Sequence, residues 1–323
     1  MKRALILGAG GFIGNHMVNR LKSEGFWVRG ADIKNPEFSA SYCDEFIKCD
    51  LRLKENVDGL FDQSYDEVYQ FAADMGGAGY IFTGEHDADV MYNSAMINMN
   101  VLNAMIESGN ERVFYSSSAC IYPKFNQKEP DNPICSEESA YPAEPDSEYG
   151  WEKLFSERLF ASYARNYGLE CRVARYHNIY GPEGAWRGGR EKAPAAICRK
   201  VAEAKDNEVV EVWGNGRQTR SFLFIDDCIE GTIRLMRSDH QGPFNIGSEE
   251  MVTINGLTEM VIELSGKTLA VKNVEGPVGV MGRNSDNTLM KRMTSWEPKT
   301  NLKTGMKKTY DWVSSQFDMT KKS

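Results

Sequence analysis

The chain has 323 residues, of which 41% are apolar and 26% are charged, and its formal net charge at pH 7 is −8. The length suits one long domain or two modest ones, and the composition is typical of a globular enzyme. An acidic protein of this kind is not expected to have nucleic acid or an anionic membrane as its main partner. No segment contains the roughly 20 consecutive apolar residues that a membrane span needs.

The cysteines and histidines do not form a recognisable metal site. The seven cysteines are odd in number and include no CxxC pair, and the four histidines are scattered along the chain. The apolar run within residues 1–7 is too short for a secretion signal. We therefore expect reduced thiols, a cytoplasmic protein and no bound metal.

The first motif in the chain is a glycine-rich turn that follows a short apolar strand. Residues 3–7 predict the strand, and Gly8, Gly11 and Gly14 lead into a helix that is predicted to end near residue 23. Glycines at this spacing permit a tight turn, close approach of the backbone to a pyrophosphate, and close packing of the helix on the strand. The helix amino terminus then faces the phosphates of a bound dinucleotide.

An acidic residue ends the second predicted strand. Residues 27–31 form this strand and Asp32 follows it, at a position where a carboxylate can hold the ribose hydroxyls and repel a 2′-phosphate. We therefore expect NAD rather than NADP as the cofactor. The predicted cofactor contacts are Gly8, Gly11, Phe12, Ile13, Gly14, Asp32, Asp50, Leu51, Ala72, Ala73, Tyr149 and Lys153.

Apolar strands and amphipathic helices alternate up to about residue 180. This alternation predicts an α/β fold with a doubly wound parallel Rossmann sheet and a site along the carboxyl ends of its strands. We expect residues 1–180 to form an NAD-binding domain. Further strands are predicted at 46–51, 67–73, 112–115 and 171–176, and helices at 91–107 and 149–167.

Hydroxyl, phenol and ammonium groups are expected to meet between the strand at 112–115 and the helix at 149–167. The strand runs into three serines that end at Ser118, and Tyr149 and Lys153 share one face of the helix because they are four residues apart. An ammonium beside a phenol favours the phenolate, so we expect Lys153 to lower the pKa of Tyr149. With a hydrogen bond from Ser118, this trio suits proton transfer at a sugar hydroxyl during its oxidation.

Beyond residue 182 the alternation loosens, which predicts a smaller mixed α/β domain at 181–323, with some crossing of the chain between the two domains. A glycine-rich basic loop at 184–194 leads into a predicted helix at 195–204, and a final helix is predicted at 306–317. Arginine forks suit a diphosphate. The basic side chains that could line a phosphate-binding cleft are Arg187, Arg190, Lys192, Arg217, Arg220 and Arg283.

The glycine turn, the strand-end serine and the Tyr149–Lys153 pair together resemble the extended short-chain dehydrogenase/reductases that act on nucleotide sugars. Four stretches narrow the resemblance, at 72–77, 117–123, 188–195 and 282–287. They are similar to the branch of this family that inverts carbons 3 and 5 of the sugar in GDP-mannose. The resemblance implies a catalytic NAD and two products, GDP-L-galactose and GDP-L-gulose.

The resemblance also implies roles for individual residues. The redox set at carbon 4 would be Ser118, Tyr149 and Lys153, and the acid/base pair at carbons 3 and 5 would be Cys120 and Lys192. A thiol and an amine suit this exchange because both can titrate near neutrality when their surroundings perturb them. The implied substrate contacts are Met75, Gly76, Ser118, Ala119, Cys120, Asn178, Glu191, Lys192, Ala193, Lys200, Gln218, Arg220 and, at the diphosphate, Arg283.

Other functions stay open at the level of the sequence. A simple 4-epimerase needs neither Cys120 nor Lys192, and a 4,6-dehydratase usually carries an Asp-Glu pair where this chain has Ala119 and Cys120. A regulator that senses NAD without turnover has no need of an intact redox set. The apolar faces of the helices at 91–107 and 149–167 could pair with a second copy, the usual arrangement in the superfamily, so we expect a homodimer.

Overall fold

A sheet of seven parallel strands forms the centre of the protein, and the computed structural model describes residues 1–276 and 278–322, with side chains to residue 319. The strands are β1 (Arg3–Leu7), β2 (Trp27–Asp32), β3 (Glu45–Lys48), β4 (Glu67–Gln70), β5 (Arg112–Ser118), β6 (Glu170–Tyr176), β7 (Ile179–Tyr180), β8 (Val209–Trp213), β9 (Thr219–Ser221), β10 (Leu223–Phe224), β11 (Phe244–Ile246), β12 (Met251–Thr253), β13 (Ala270–Val274) and β14 (Gly282–Arg283). The central sheet has the order β11-β6-β5-β4-β1-β2-β3, with every neighbouring pair parallel. This order confirms the doubly wound Rossmann sheet.

Helices cover both faces of this sheet. They are α1 (Phe12–Ser23), α2 (Lys54–Leu60), α3 (Ala78–Ile81), α4 (Asp87–Ser108), α5 (Glu148–Tyr167), α6 (Ala193–Glu203), α7 (Ile225–Met236), α8 (Ile254–Ser265), α9 (Thr288–Thr294) and α10 (Leu302–Lys322). Successive side chains of β1 point to opposite faces, so Ile6 joins the core that contains Met17 of α1, while Leu5 joins the core that contains Val101 of α4. Burial of each such side chain contributes about 1.5–3 kcal/mol.

The other strands of the described residues form small sheets beside the central one. β10 pairs with β7, β13 pairs with β8, and a three-stranded sheet has the order β12-β9-β14. The last sheet is mixed, because β12 runs antiparallel to β9 and β14 runs parallel to it. Helices α6, α8 and α10 pack on one another here. The region beyond residue 181 therefore has the mixed α/β character that the sequence predicts.

The chain returns to the central sheet after it has entered this smaller part. Strand β11 pairs in parallel with β6, where Phe244 lies opposite Ala174 and Ile246 lies opposite Tyr176. Helix α7, which precedes β11, packs on α1. Residues after 181 thus supply both a strand and a helix to the layer that residues 1–180 build.

Several element bounds differ from the predicted ones. The strand predicted at 67–73 ends at Gln70, the helix predicted at 91–107 begins at Asp87, and the last helix begins at Leu302. Strands β7, β9, β10, β12, β13 and β14 were not predicted, and all of these except β13 have only two or three residues. A strand that short has too few side chains to show a period of two in the sequence.

The described residues were also searched for membrane spans and metal clusters. None of their helices is long and apolar enough to cross a membrane. They contain no group of three His, Cys, Asp or Glu side chains that could hold a metal ion. The seven cysteines are free thiols, four of them buried and three half-buried.

The contact between Gly14 and the preceding turn limits the size of residue 14. A Cβ there would lie 2.0 Å from the carbonyl oxygen of Gly8, so Gly14→Ala must displace α1 from β1. We expect this variant to lower the free energy of unfolding by about 1–3 kcal/mol, measured by urea unfolding followed by circular dichroism. The control is Gly59→Ala, because a Cβ at that position in α2 meets no atom within 4 Å. Equal stability of the two variants would contradict the close contact.

Candidate active site

Helix α5 begins against the end of strand β5, and this junction holds the redox set. Ser147 caps the helix, since its hydroxyl oxygen accepts a hydrogen bond from the backbone N–H of Gly150 at 3.2 Å. Gly150 lets the helix approach closely, because a Cβ there would lie 2.2 Å from the carbonyl oxygen of Cys120. The Ser118 hydroxyl oxygen accepts a hydrogen bond from the backbone N–H of Cys120 at 3.2 Å. These contacts bring Tyr149, in the first turn of α5, to Ser118.

Lys153 follows Tyr149 by one helical turn, and its side chain is buried. Its Nζ donates a hydrogen bond to the carbonyl oxygen of Ser116 at 2.9 Å and lies 5.7 Å from the centroid of the Tyr149 ring. Burial lowers the pKa of this ammonium, while the carboxylate of Glu152 acts in the opposite direction. The structure therefore brings the three residues of the redox set together.

The pKa of Tyr149 does not follow the prediction from the sequence. Burial raises it well above its usual value, the neighbouring thiol of Cys120 adds to the increase, and the hydrogen bond with Ser118 opposes it. The phenol is only 7% exposed, so the cost of desolvating a phenolate is the largest effect. The prediction of a lowered pKa was therefore wrong, because the burial of the phenol outweighs the groups that favour its charged form.

A cavity of about 570 Å³ contains both the glycine turn and the redox set in its wall. It lies along the carboxyl ends of the central strands, where a doubly wound sheet binds its ligands. The sequence-predicted residues that line it are Gly8, Gly11, Phe12, Ile13, Gly14, Asp32, Asp50, Leu51, Ala72, Ala73, Met75, Ser118, Tyr149, Lys153, Arg190 and Lys192.

The wall near the glycine turn fits a dinucleotide. Gly8 has φ of +90°, and a Cβ there would lie 2.8 Å from the backbone nitrogen of Ala72, so the turn depends on glycine. The Asp32 carboxylate accepts hydrogen bonds from the backbone N–H groups of Gly10 at 3.0 Å and Lys34 at 3.1 Å. Burial raises the pKa of Asp32, and these N–H groups oppose the increase. A glycine turn without side chains at the start of a helix suits the phosphates of NAD. A carboxylate at the end of the next strand suits a ribose of NAD.

Asp50, one of the predicted cofactor contacts, is held by Arg52, two residues later in the chain. The guanidinium of Arg52 lies 2.6 Å from the carboxylate and lowers the pKa of Asp50. Arg52 also donates a hydrogen bond to the side-chain oxygen of Asn93 at 2.9 Å. All three residues line the cavity, so this part of its wall is polar and fixed in place.

Three residues in the cavity wall were missed by the sequence analysis. The Ser39 hydroxyl donates a hydrogen bond to the Glu183 carboxylate at 2.9 Å and accepts one from the Asn15 amide at 2.8 Å. Asn15 and Glu183 are 168 positions apart. No local pattern links residues at that separation, so the sequence carries no signal for this group.

Lys192 and Cys120 reach the redox set from different elements. Lys192 precedes the first turn of α6 and lines the cavity. Burial lowers the pKa of its ammonium, while Cys120 acts in the opposite direction, so the two side chains lie within electrostatic reach of each other. Cys120 is half-buried and packs against the cluster that contains Tyr149.

Two loops meet beside this acid/base pair. The backbone N–H of Gly77 donates a hydrogen bond to the carbonyl oxygen of Arg190 at 3.0 Å. A Cβ at Gly77 would lie 2.2 Å from the carbonyl oxygen of Glu191, so this crossing also requires glycine. The predicted substrate contacts Gly76 and Glu191 are brought together by it, next to Met75 in the cavity wall.

Two other predicted substrate contacts lie together at the end of β8, outside the wall of the cavity. The Nζ of Lys200 donates a hydrogen bond to the carbonyl oxygen of Glu211 at 2.7 Å and lies 5.7 Å from the ring centroid of Trp213. The side-chain amide of Gln218 donates to the carbonyl oxygen of Trp213 at 3.0 Å. This pair therefore surrounds a partly exposed indole rather than the redox set.

The remaining neutral contacts sit at bends in the backbone. Asn178 has φ of +48°, in the left-handed region, and its side-chain amide donates to the carbonyl oxygen of Ser221 at 2.9 Å. Ala119 is buried in the turn after Ser118, and Ala193 is the first residue of α6. Ala119 directly follows Ser118, Ala193 directly follows Lys192, and Asn178 lies two residues after the end of β6.

Arg220 and Arg283 lie side by side on β9 and β14. Arg220 donates hydrogen bonds to the carbonyl oxygens of Thr219 and Val280, each at 2.7 Å. Burial lowers the pKa of Arg220 to about 10, and the charge of Arg283 adds to the decrease. Arg283 donates a hydrogen bond to the Sγ of Cys120 at 3.1 Å, a contact that the sequence did not predict.

Comparison with known sequences agrees with this geometry. The pattern of the NAD dependent epimerase/dehydratase family matches residues 4–247. The chain is 48% identical over 318 residues to the GDP-mannose 3,5-epimerase of Arabidopsis thaliana, an alignment that covers 98% of this chain and 83% of that protein. It is also 48% identical over 321 residues to GDP-mannose 3,5-epimerase 1 of Oryza sativa subsp. indica, with 99% and 83% covered.

Comparison with solved structures supports the fold. The UDP-glucose 4-epimerase of Thermotoga maritima with UDP-glucose has a TM-score of 0.84 at 24% identity, with 98% of this chain and 99% of that chain covered. The UDP-glucuronic acid 4-epimerase of Bacillus cereus, in complex with UDP-glucuronic acid and NAD, has a TM-score of 0.81 at 25% identity, with 97% and 99% covered. Because the family pattern spans most of the chain, and the redox residues meet in a cavity that fits the cofactor, this protein belongs to the NAD-dependent epimerase/dehydratase family.

Proposed function

We propose that this protein is an isomerase that inverts carbons 3 and 5 of the sugar in GDP-mannose. Inversion of both carbons gives GDP-L-galactose, and inversion of carbon 5 alone gives GDP-L-gulose. The observation that supports the proposal is that the Cys120 thiol packs against the cluster that contains Tyr149 and lies within electrostatic reach of the Lys192 amine. The 48% identity to two plant enzymes of this activity supports it.

Bound NAD supplies the reversible oxidation at carbon 4, and the protein supplies the proton transfers. Tyr149 is suited to take the proton of the carbon-4 hydroxyl and to return it. Burial alone keeps the phenol protonated, since it raises the pKa of Tyr149. Ser118 and the ammonium of Lys153 are the nearby groups that favour the phenolate when the substrate proton has to be accepted.

While carbon 4 is a ketone, the C–H bonds at carbons 3 and 5 are acidified. Inversion then needs a base on one face of the sugar and an acid on the other. Cys120 and Lys192 come from different elements, the turn after β5 and the start of α6, so they can address the ring from different directions. Burial lowers the pKa of Lys192, which brings an amine toward the range in which it exchanges protons readily.

The same residues argue against the alternative reactions. A 4-epimerase requires only the redox set, and it leaves Cys120 and Lys192 without a task. A 4,6-dehydratase usually has an acidic pair where Ala119 and Cys120 stand. A regulator that only senses NAD gains nothing from Lys153, whose burial costs free energy.

The direct test of this function is incubation with GDP-mannose in heavy water. Each inverted carbon should acquire deuterium from solvent, detected at carbons 3 and 5 by NMR. A 4-epimerase would leave both positions unlabelled, and a dehydratase would release water and lower the mass of the sugar. Unlabelled substrate after long incubation would overturn the proposal.

Tyr149→Phe should block this exchange, because no other group is placed to take the hydroxyl proton at carbon 4. We expect labelling at carbons 3 and 5 to fall by about 10² or more. The variant should still retain NAD, measured by absorbance of the cofactor released on denaturation. Labelling at carbon 5 at the normal rate would contradict oxidation at carbon 4 as the first step.

Cys120→Ser should bind substrate and exchange protons very slowly, since a hydroxyl loses its proton far less readily than a thiol. Lys192→Met should have the same effect, because one face of the ring then lacks its partner. The matched control is Cys43→Ser, another half-buried thiol, which lies beside Gly30 and packs against a different cluster from the one that contains Tyr149. Normal labelling in Cys120→Ser would contradict the proposed acid/base role of this thiol and leave it only a role in packing.

We also propose that two copies pair through α4 and α5, which pack against each other. These helices carry large apolar side chains that are well exposed, namely Tyr92 at 63%, Trp151 at 41% and Phe155 at 48%. Together they form an apolar face that a second copy would cover. A cytoplasmic location is part of the proposal, supported by the free thiols.

Phe155→Arg should separate the two copies, because a guanidinium would be buried without a partner in the centre of that face. We expect a dimer for the natural protein and a monomer for the variant in sedimentation at micromolar concentration. Val209→Arg is the control, since Val209 is similarly exposed, at 50%, but lies on β8. A monomer in the natural protein would remove the proposed pairing.

The division of labour between the two parts of the chain follows from the same proposal. Residues 1–180, together with strand β11, would bind NAD, and the small sheets beyond residue 181 would bind the nucleotide sugar. Lys200 and Gln218 beside the indole of Trp213 are suited to a flat base. This assignment is supported by the separation of the two sets of residues. The glycine turn lines the cavity, whereas Lys200 and Gln218 lie outside its wall.

A further inference from the structure

The guanidinium of Arg283 is fixed by three side chains, one at each of its nitrogen atoms. Its Nε donates to the amide oxygen of Gln127 at 2.6 Å, its Nη2 to the carboxylate of Asp146 at 2.6 Å, and its Nη1 to the Sγ of Cys120 at 3.1 Å. Arg283 is 5% exposed, and its ion pair with Asp146 is almost fully buried on both sides. These three contacts form a fork around the guanidinium of Arg283. They leave little freedom to Nη1, the nitrogen that faces the thiol of Cys120.

The acceptors of this fork are themselves held in place. The side-chain amide of Gln127, which is fully buried, donates to the carbonyl oxygens of Tyr122 and Pro123. Asp146 immediately precedes the cap of α5. The position of Arg283 is therefore tied to the same junction of β5 and α5 that positions Tyr149.

Charge at Arg283 is maintained despite burial. Burial alone would lower the pKa of this guanidinium, but the charges of Asp146 and Cys120 outweigh burial and raise it. The other ionisable groups that face Cys120 are Tyr149 and Lys153 on α5, Lys192 at the start of α6, and Arg220 on β9. For Lys153, Lys192 and Arg220, burial lowers the pKa. Arg283 differs from them in forming a direct ion pair of 2.6 Å with a buried carboxylate, that of Asp146.

We propose that Arg283 is a positioning residue that holds the Sγ of Cys120 as a thiolate, with Gln127 and Asp146 fixing the orientation of its guanidinium. The inference rests on the function proposed above and assigns Cys120 the part of base at the carbon it serves. It also gives Arg283 a task other than the diphosphate contact that the family resemblance implies.

The proton balance of this step is simple. The thiolate of Cys120 removes a proton from carbon 3 or carbon 5 and becomes a thiol, and the C–H electron pair becomes part of the enolate. The ammonium of Lys192 gives a proton to the opposite face and becomes an amine. A proton then passes from the thiol to the amine, directly or through water, before the next turnover. A hydrogen bond from Arg283 favours the thiolate at the start of this sequence.

The diphosphate role and the positioning role predict different defects in Arg283→Gln. A lost diphosphate ligand weakens substrate binding and leaves the maximal rate of proton exchange largely intact. A lost thiolate partner lowers the maximal rate and leaves binding largely intact. We expect the second pattern, with deuterium labelling at saturating GDP-mannose reduced by about tenfold or more and the KM changed by less than about threefold.

A measurement without turnover tests the inference independently. The NAD-bound protein is treated with iodoacetamide between pH 5 and 10, and alkylation of Cys120 is followed by peptide mass mapping. In Arg283→Gln the pH of half-maximal alkylation should rise by about one unit or more, because only the thiolate reacts. Gln127→Met should produce a smaller shift in the same direction, since it loosens the fork without changing any charge.

The control is Glu67→Gln, which breaks a carboxylate–guanidinium contact of 2.8 Å with Arg237 at the amino-terminal end of the central strand β4. The alkylation profile of Glu67→Gln should match that of the natural protein. An unchanged profile in correctly folded Arg283→Gln and Gln127→Met, or an equal shift in Glu67→Gln, would overturn the inference. If GDP-mannose acquires no deuterium, the proposed function fails, whereas the alkylation profiles still decide whether Arg283 holds the thiolate.

Discussion

The approach of α5 to the end of β5 is the constraint on which the site depends. At Gly150 the helix comes so near that a side chain would meet the carbonyl oxygen of Cys120. This single contact fixes how Tyr149 stands relative to Ser118, and it presents Cys120 beside both. One turn later, Lys153 is anchored to the strand at Ser116. Helix and strand therefore hold the reacting groups on rigid elements rather than on loops, which is how a site keeps the spacing that proton transfer needs.

Burial sets the charge of this region more than any single neighbour does. It lowers the pKa of Lys153 and Lys192 and raises that of Tyr149, so each group is moved toward its neutral form. The pKa of Arg283 is raised instead, because the buried carboxylate of Asp146 lies beside its guanidinium. The site thus combines groups that burial shifts toward their neutral forms with the guanidinium of Arg283, whose charge is maintained. Such an arrangement suits a reaction in which protons are removed and replaced with no net change in the ligand.

The sequence predicted the parts of this protein that obey local rules. These parts are the glycine spacing, the position of Asp32 at the end of a strand and the four-residue interval between Tyr149 and Lys153, all of which are patterns within short segments of the sequence. The structure places these residues in the wall of one cavity. The fork around Arg283 could not be predicted, because its partners Gln127 and Asp146 are 156 and 137 positions away. The direction of the Tyr149 pKa was also missed, since a sequence shows the neighbouring charge but not the depth of burial.

The return of the chain through β11 has a consequence for how the protein can be divided. Strand β6, buried along almost its whole length, has β5 on one side and β11 on the other. A fragment that stopped at residue 180 would leave the second edge of β6 with unpaired N–H and C=O groups and would strip α7 from α1. Open edges of this kind recruit strands from other molecules. Residues 1–180 therefore do not complete the central sheet by themselves, and we expect them to fold stably only together with the segment that carries α7 and β11.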